Sequence, residues 1–139
     1  MRFWDSSAIV PLVVPQGHSA AAERLLKDDP DIVVWWASQV ECTSALTRLA
    51  REGAMNDDQV DLAVTRLSRL LESAIAVDPV PAIRDIACRL LRVHPLRSAD
   101  ALQLAAALEV RGPSSRSSQF VCFDKRLALA ARREGLSVP

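Results

Sequence analysis

Apolar residues fall along this chain in blocks of two kinds. The first kind is a mostly apolar run of strand length: RFWD at 2–5, IVVWW at 32–36, AIAV at 74–77 and FVCF at 120–123. Runs this short, with turn signals around them, suit strands covered on both faces of a parallel sheet. The second kind recurs at helical spacing. It predicts helices over 6–13, 17–27, 38–52, 56–73, 82–93, 98–110 and 125–134. Apolar residues at 60, 62, 64, 67, 70 and 71 mark the fourth of these, and SADALQLAAALEV at 98–110 is apolar on nearly every side, as a buried helix is.

The punctuation agrees with these blocks. Pro15 breaks the first helix, DDPD at 28–31 reads as a turn, Gly53 as a C-cap, and Pro95 closes the helix that ends at Val93. RGPSSRSS at 111–118 is the one flexible polar loop, and Leu136 to Val138 is expected to add a last edge strand. Short strands alternating with helices predict an α/β fold with a mostly parallel sheet flanked by helices. No repeat, low-complexity segment or internal linker interrupts it, so residues 1–139 are expected to form a single domain.

Composition narrows the class. Half the residues are hydrophobic and 24% are charged, which is ordinary for a soluble globular chain. The apolar stretches fall far short of the ~20 residues that span a membrane. Asp5, Pro11 and Pro15 interrupt the N-terminal hydrophobicity, so no signal-peptide core is present and the cytoplasm is the expected compartment. Cys42, Cys88 and Cys122 are odd in number and widely spaced, against a disulfide framework or a zinc CxxC site. Each sits in an apolar pattern and reads as a small buried hydrophobe. Net charge is zero but unevenly placed: residues 1–79 hold 12 acids and 7 bases, residues 80–139 hold 5 acids and 10 bases. The chain is therefore not a generic polyanion binder, although a basic C-terminal surface can meet phosphates.

Four acids carry the candidate chemistry. In a parallel α/β sheet, ligands bind at the carboxyl ends of the strands. Asp5 and Asp124 each end a strand, Glu41 lies in the first turn of the helix after IVVWW, and Asp100 lies in the first turn of the helix that begins at Ser98. Each has a simple structural role available. Asp5 and Asp124 suit N-caps, Ser38 to Glu41 fits a capping box, and Asp100 suits the helix dipole. Together, however, they converge on one sheet edge with strongly apolar flanks. Crowded carboxylates repel one another, and burial worsens the repulsion. A divalent cation relieves it, and oxygen-only ligands favour Mg²⁺ or Mn²⁺. His18 reads as a helix-surface residue and His94 as a pre-proline loop residue, so neither argues for zinc.

Such a pocket suits phosphoryl chemistry, where the ion activates water, aligns it with phosphorus and stabilises the leaving oxygen. No Gly-rich phosphate loop is present, which argues against nucleoside triphosphates. A phosphatase using Asp5 as nucleophile would want a second acid at position 7, where Ser7 stands. That hydroxyl suits orienting a water or reaching a phosphate oxygen.

DSSA at 5–8, SQVECTSALTRL at 38–49, LRSADALQLAAAL at 96–108 and FVCFDKRLALAARREGL at 120–136, in that order, resemble the PIN-domain ribonucleases, most closely the VapC-type toxins of toxin–antitoxin pairs. The similarity covers nearly the whole chain. It implies a PIN-like fold and a metal-dependent endoribonuclease that leaves 3′-hydroxyl and 5′-phosphate ends. It further implies that Asp5, Glu41, Asp100 and Asp124 form an acidic quartet around Mg²⁺ or Mn²⁺, with Ser7 as the accompanying hydroxyl. A homodimer and a small antitoxin, whose tail can place a basic side chain in the pocket, are the implied partners. Arg97, Lys125 and Arg126 adjoin the expected ligands in sequence and are candidate phosphate contacts. The chain departs from the family pattern at Gln103, where His is frequent, and at Cys122, where a small hydroxyl residue is common. Two other classes stay open: a catalytically inactive PIN-like domain that binds RNA or protein, and a metal-dependent phosphohydrolase of small phosphoesters.

Overall fold

The computed structural model describes residues 1–111 and 119–139; residues 112–118 of the expected polar loop lie outside them. In chain order the elements are β1 (Arg2–Trp4), α1 (Ser6–Val13), α2 (Ser19–Asp28), β2 (Ile32–Trp35), α3 (Ser38–Arg51), α4 (Asp57–Glu72), β3 (Ile75–Val77), α5 (Pro81–Val93), α6 (Ser98–Glu109), β4 (Phe120–Val121) and α7 (Lys125–Arg133). All four strands are parallel, in the order β3-β2-β1-β4. The chain steps outward from β1 through β2 to β3, then crosses back to lay β4 on the free side of β1. Phe3 is thereby in register with both Val33 and Phe120.

The pleat divides the apolar runs between two cores. Phe3, Val33, Trp35 and Phe120 face one side, where Ile83, Leu90, Leu104 and Leu127 of α5, α6 and α7 cover them. Trp4, Ile32, Val34 and Val121 face the other, under Ile9, Ala22, Leu46 and Leu67 of α1 to α4. Successive strand residues point to opposite faces, so a continuous apolar run is what a sheet buried on both faces requires. α6 is the innermost helix: Ala101, Leu104, Ala105 and Ala106 are fully buried, and the small alanines let neighbouring elements approach closely.

Local chemistry sets the boundaries. Asn56 and Gln59 exchange side-chain and backbone hydrogen bonds at 2.9 Å in a capping box that starts α4. Pro81 opens α5 at a position where its missing N–H costs nothing. Gly135 ends α7 at φ +87°. There its N–H bonds the Arg132 carbonyl at 3.1 Å and the Leu136 N–H bonds the Ala131 carbonyl at 3.0 Å, a Schellman closure that needs a left-handed residue. At the amino edge of the sheet the buried Arg2 guanidinium bonds Gln119, the Leu25 carbonyl and Asp28. It ties the end of α2 to β1 and β4.

Four expectations need correction. Leu136 to Val138 form no strand among the described residues, only one isolated parallel bridge between Gln119 and Ser137. Ser38 does not cap α3: Ala37 is the N-cap, and Glu41 turns away from the helix end. Cys42 and Cys122 are buried as expected, but Cys88 is exposed. His94 is no simple loop residue, since its side chain is buried and its Nε2 lies 2.8 Å from Glu134, which also pairs with Arg89. No helix among the described residues is long and apolar enough to cross a membrane.

Leu104 sits at the centre of the α6-facing core with no exposed surface. Leu104→Ala should lower stability by about 2–5 kcal/mol. Urea unfolding should show the loss as a lower midpoint at unchanged slope.

Candidate active site

β1 ends at Trp4, and Asp5 follows with extended backbone angles that aim the chain into α1. Its N–H donates to the Val121 carbonyl at 3.0 Å, so the end of β4 sets its position. Its Oδ2 accepts the Ser7 N–H at 2.9 Å, which makes Asp5 the N-cap of α1. The Ser7 hydroxyl reaches across the sheet edge and accepts the N–H groups of Phe123 at 2.9 Å and Asp124 at 3.3 Å. Ser7 is therefore first of all a latch between the two strand ends. The Cys122 thiol packs beneath, donating to Asp5 Oδ2 at 3.7 Å and to the Asp124 carbonyl at 3.5 Å.

Glu41 projects from the first turn of α3 into a separate network. Its Oε2 accepts the Ser6 hydroxyl at 3.1 Å and Nε2 of Gln103 at 2.9 Å. Gln103 is fully buried on α6 and also donates toward Ser6 at 2.9 Å and Ser38 at 3.3 Å. Among the described residues its Oε1 finds no partner, a buried acceptor left unsatisfied. The amide thus joins α6, α1 and α3 at one carboxylate, with Nε2 aimed at Glu41.

Asp100 and Asp124 enter from the remaining helix starts. Asp100 Oδ2 accepts the Arg97 N–H at 3.3 Å and stands 3.6 Å from the Arg126 guanidinium. Asp124 Oδ1 caps α7 through the N–H groups of Arg126 and Leu127 at 2.8 and 2.9 Å. All four acids line one open cleft of about 690 Å³, together with Ser7, Arg97 and Arg126. Lys125 is exposed and does not line this cleft.

The electrostatics follow from burial. Desolvation is the main reason that the Asp5 carboxyl titrates above the usual carboxylate range; the charge of Asp100 adds to it, and hydrogen bonds from Ser7 oppose it. Desolvation raises Glu41 as well, with hydrogen bonds from Gln103 and Ser6 opposing and the charges of Asp5 and Asp100 adding. Three of the acids therefore feel one another. Burial likewise pushes the Cys42 thiol up to about 12.

Among the described residues, no three His, Cys, Asp or Glu side chains are already gathered closely enough to hold a metal ion. Each carboxylate instead rests on its own hydrogen-bond donors. The donor set still fits a hard divalent cation: four carboxylates and a hydroxyl on fixed strand and helix ends, with mutual repulsion between three of them. Asp5, Glu41 and Asp100 are the side chains that would hold such an ion.

The cleft also contains residues that the sequence pattern did not single out. Arg48 of α3 lines it, as do His18 and Phe123, whose rings stack with centroids 4.6 Å apart at 12°. His18 is thus a cleft residue rather than a plain helix-surface one. Arg48 lies seven positions beyond Glu41, two turns along the same face of α3; that spacing is the signal that finds it. Nothing in the sequence pairs His18 with Phe123.

The PIN domain family model matches residues 2–133. The chain belongs to the PIN family. Solved structures of similar fold include Mycobacterium tuberculosis VapC20, described as a sarcin–ricin loop cleaving toxin. It is 17% identical with a TM-score of 0.71, covering 94% of this chain and 95% of that one. A toxin–antitoxin complex from Klebsiella pneumoniae gives 14% identity and a TM-score of 0.68, over 98% and 95%. FitAcB from Neisseria gonorrhoeae gives 16% and 0.66, over 99% and 96%. At these identities the likeness is one of fold. None of the curated proteins matches the sequence closely enough to count as a relative. Within this PIN fold the four acids lie where the strand order reverses between β1 and β4, the usual crevice for a ligand in an open α/β sheet.

The burial of Asp5 has a pH signature. Its pKa is raised on folding, so the folded state binds a proton that the unfolded chain gives up near its ordinary value of 3.8. The associated stability is present at low pH and is lost as pH rises through the folded-state value. In EDTA, Asp5→Asn should therefore melt higher than wild type at neutral pH, and the gain should shrink as pH falls toward 3.8. Calorimetric scans across that range check it; a variant that melts lower at neutral pH contradicts it.

Proposed function

We propose that this PIN protein is a Mg²⁺- or Mn²⁺-dependent endoribonuclease that acts as the toxin of a toxin–antitoxin pair. The observation that carries the reading is the convergence of Asp5, Glu41, Asp100 and Asp124 on one cleft that Arg48, Arg97 and Arg126 also line. Carboxylates alone would repel a polyanion, and arginines alone would only hold it. The combination suits a phosphodiester brought to a cation.

The side chains divide the work by position. Asp5, Glu41 and Asp100 hold the ion, and Asp124 completes the pocket or orients the attacking water. A bound Mg²⁺ or Mn²⁺ supplies water activation and charge stabilisation at phosphorus. Arg97 and Arg126 take phosphate oxygens, and Arg48 extends the basic track along α3. Ser7 keeps Asp5 and Asp124 at a fixed separation through its bonds to the Phe123 and Asp124 amides. Gln103 fixes Glu41. Lys125, exposed outside the lining, contributes long-range attraction to RNA.

The chain works in the cytoplasm as one domain, and a small antitoxin silences it. Its support is the fold shared with a VapC toxin and with a chain from a toxin–antitoxin complex. A homodimer is supported by exposed apolar side chains along α4, β3 and α5: Leu62, Ile75, Leu91 and Val93. Sedimentation at micromolar concentration should show two copies, and Leu91→Glu should shift the protein toward monomer.

Purified protein should cleave RNA with Mg²⁺ or Mn²⁺ and stop in EDTA. Asp5→Asn and Asp100→Asn should each lower the rate by more than about 100-fold, whereas Gln103→Leu should cost about 10–100-fold, as loss of a ligand's supporting partner does. Full activity in both acid variants sinks the reading. One rival is a PIN-like domain that binds RNA or protein without catalysis. Titration calorimetry with Mn²⁺ decides between them, since that rival predicts neither heat nor cleavage. Hydrolysis of p-nitrophenyl phosphate without RNA cleavage would instead indicate a small-phosphoester hydrolase.

A further inference from the structure

The stacked rings of His18 and Phe123 have no evident structural duty. His18 is the N-cap residue of α2, yet its side chain makes no capping bond. The imidazole is exposed and stacks on the Phe123 ring. Phe123 is half-buried against the α1–α4 core and is held by its N–H bond to Ser7 at 2.9 Å. The inner ring is therefore anchored and the outer ring is offered to solvent. Phe123 also immediately precedes Asp124, and both rings line the acid cleft.

Taking the nuclease reading as its basis, we infer that the His18–Phe123 pair is a stacking platform for one nucleobase of the substrate. An exposed planar ring in a cleft that arginines also line is the arrangement on which proteins stack single-stranded bases. The base that lies on His18 belongs to a nucleotide near the bond held at the carboxylates. A base inside a duplex is covered by its neighbours on both faces and cannot lie there. The platform thus selects unpaired segments, such as loops and single strands, over helical RNA, and tolerates any base because every base has a π face.

The test uses the full chain carrying Asp5→Asn, so that bound RNA stays intact. The probes are short single-stranded RNAs with the fluorescent base aminopurine placed at successive positions, and a duplex of the same sequence. Stacking should quench the fluorophore at one position in the cleft. His18→Ala should abolish that quench and weaken binding by about five- to a hundredfold. His18→Phe should retain both, and the duplex should bind more weakly than the single strand. Tight binding of the single strand with quench and affinity unchanged in His18→Ala overturns the platform while leaving the nuclease reading intact. Equal binding of duplex and single strand overturns it as well. RNA binding absent from every protein, wild type included, overturns the nuclease reading and the platform with it.

Discussion

The parallel pairing of β1 with β4 is the constraint on which the rest depends. These strands lie at opposite ends of the sequence, and their union brings the carboxyl ends of both runs to one point. The Asp5 N–H closes the ladder on the Val121 carbonyl, and the Ser7 hydroxyl bolts α1 to the amides of Phe123 and Asp124. Slip β4 by one residue and Phe120 and Val121 exchange cores, since alternate residues face opposite sides. Phe123 and Asp124 would be carried out of the cleft with it.

The acids at that junction already have structural tasks. Asp5 and Asp124 satisfy free N–H groups at helix starts, and Asp100 accepts an N–H from the turn before its helix. Capping asks for an acceptor, and a neutral side chain would suffice. The carboxylates of Asp5 and, from α3, Glu41 cost stability through desolvation and through the repulsion of nearby charges. Natural chains accept that kind of cost at functional sites more readily than elsewhere.

Much of this could be read from the sequence because it follows local rules. The two-sided apolar runs marked the strands, the helical periods marked the helices to within a residue or two, and Gly53 marked a helix end. The four acids were legible as a set once each was placed at a strand or helix boundary. What could not be read depends on side-chain direction in space. Ser38 to Glu41 has the spacing of a capping box, yet Glu41 turns to Ser6 and Gln103 because buried donors on two other helices compete for it. Lys125 and Arg126 are neighbours in sequence, but the helix turns only Arg126 into the cleft. The His18–Phe123 stack joins residues more than a hundred positions apart and leaves no local signature.

The thiol beneath Asp5 has a consequence of its own. Cys122 is buried, and both desolvation and the Asp5 charge push its pKa upward, so it stays protonated at any physiological pH. Peroxide attacks the thiolate and hardly the thiol. A sulfenic acid at this position would push against the carboxylate that anchors the cleft. Burial under a negative charge thus disfavours the thiolate, the form that oxidants attack, directly beneath the cleft.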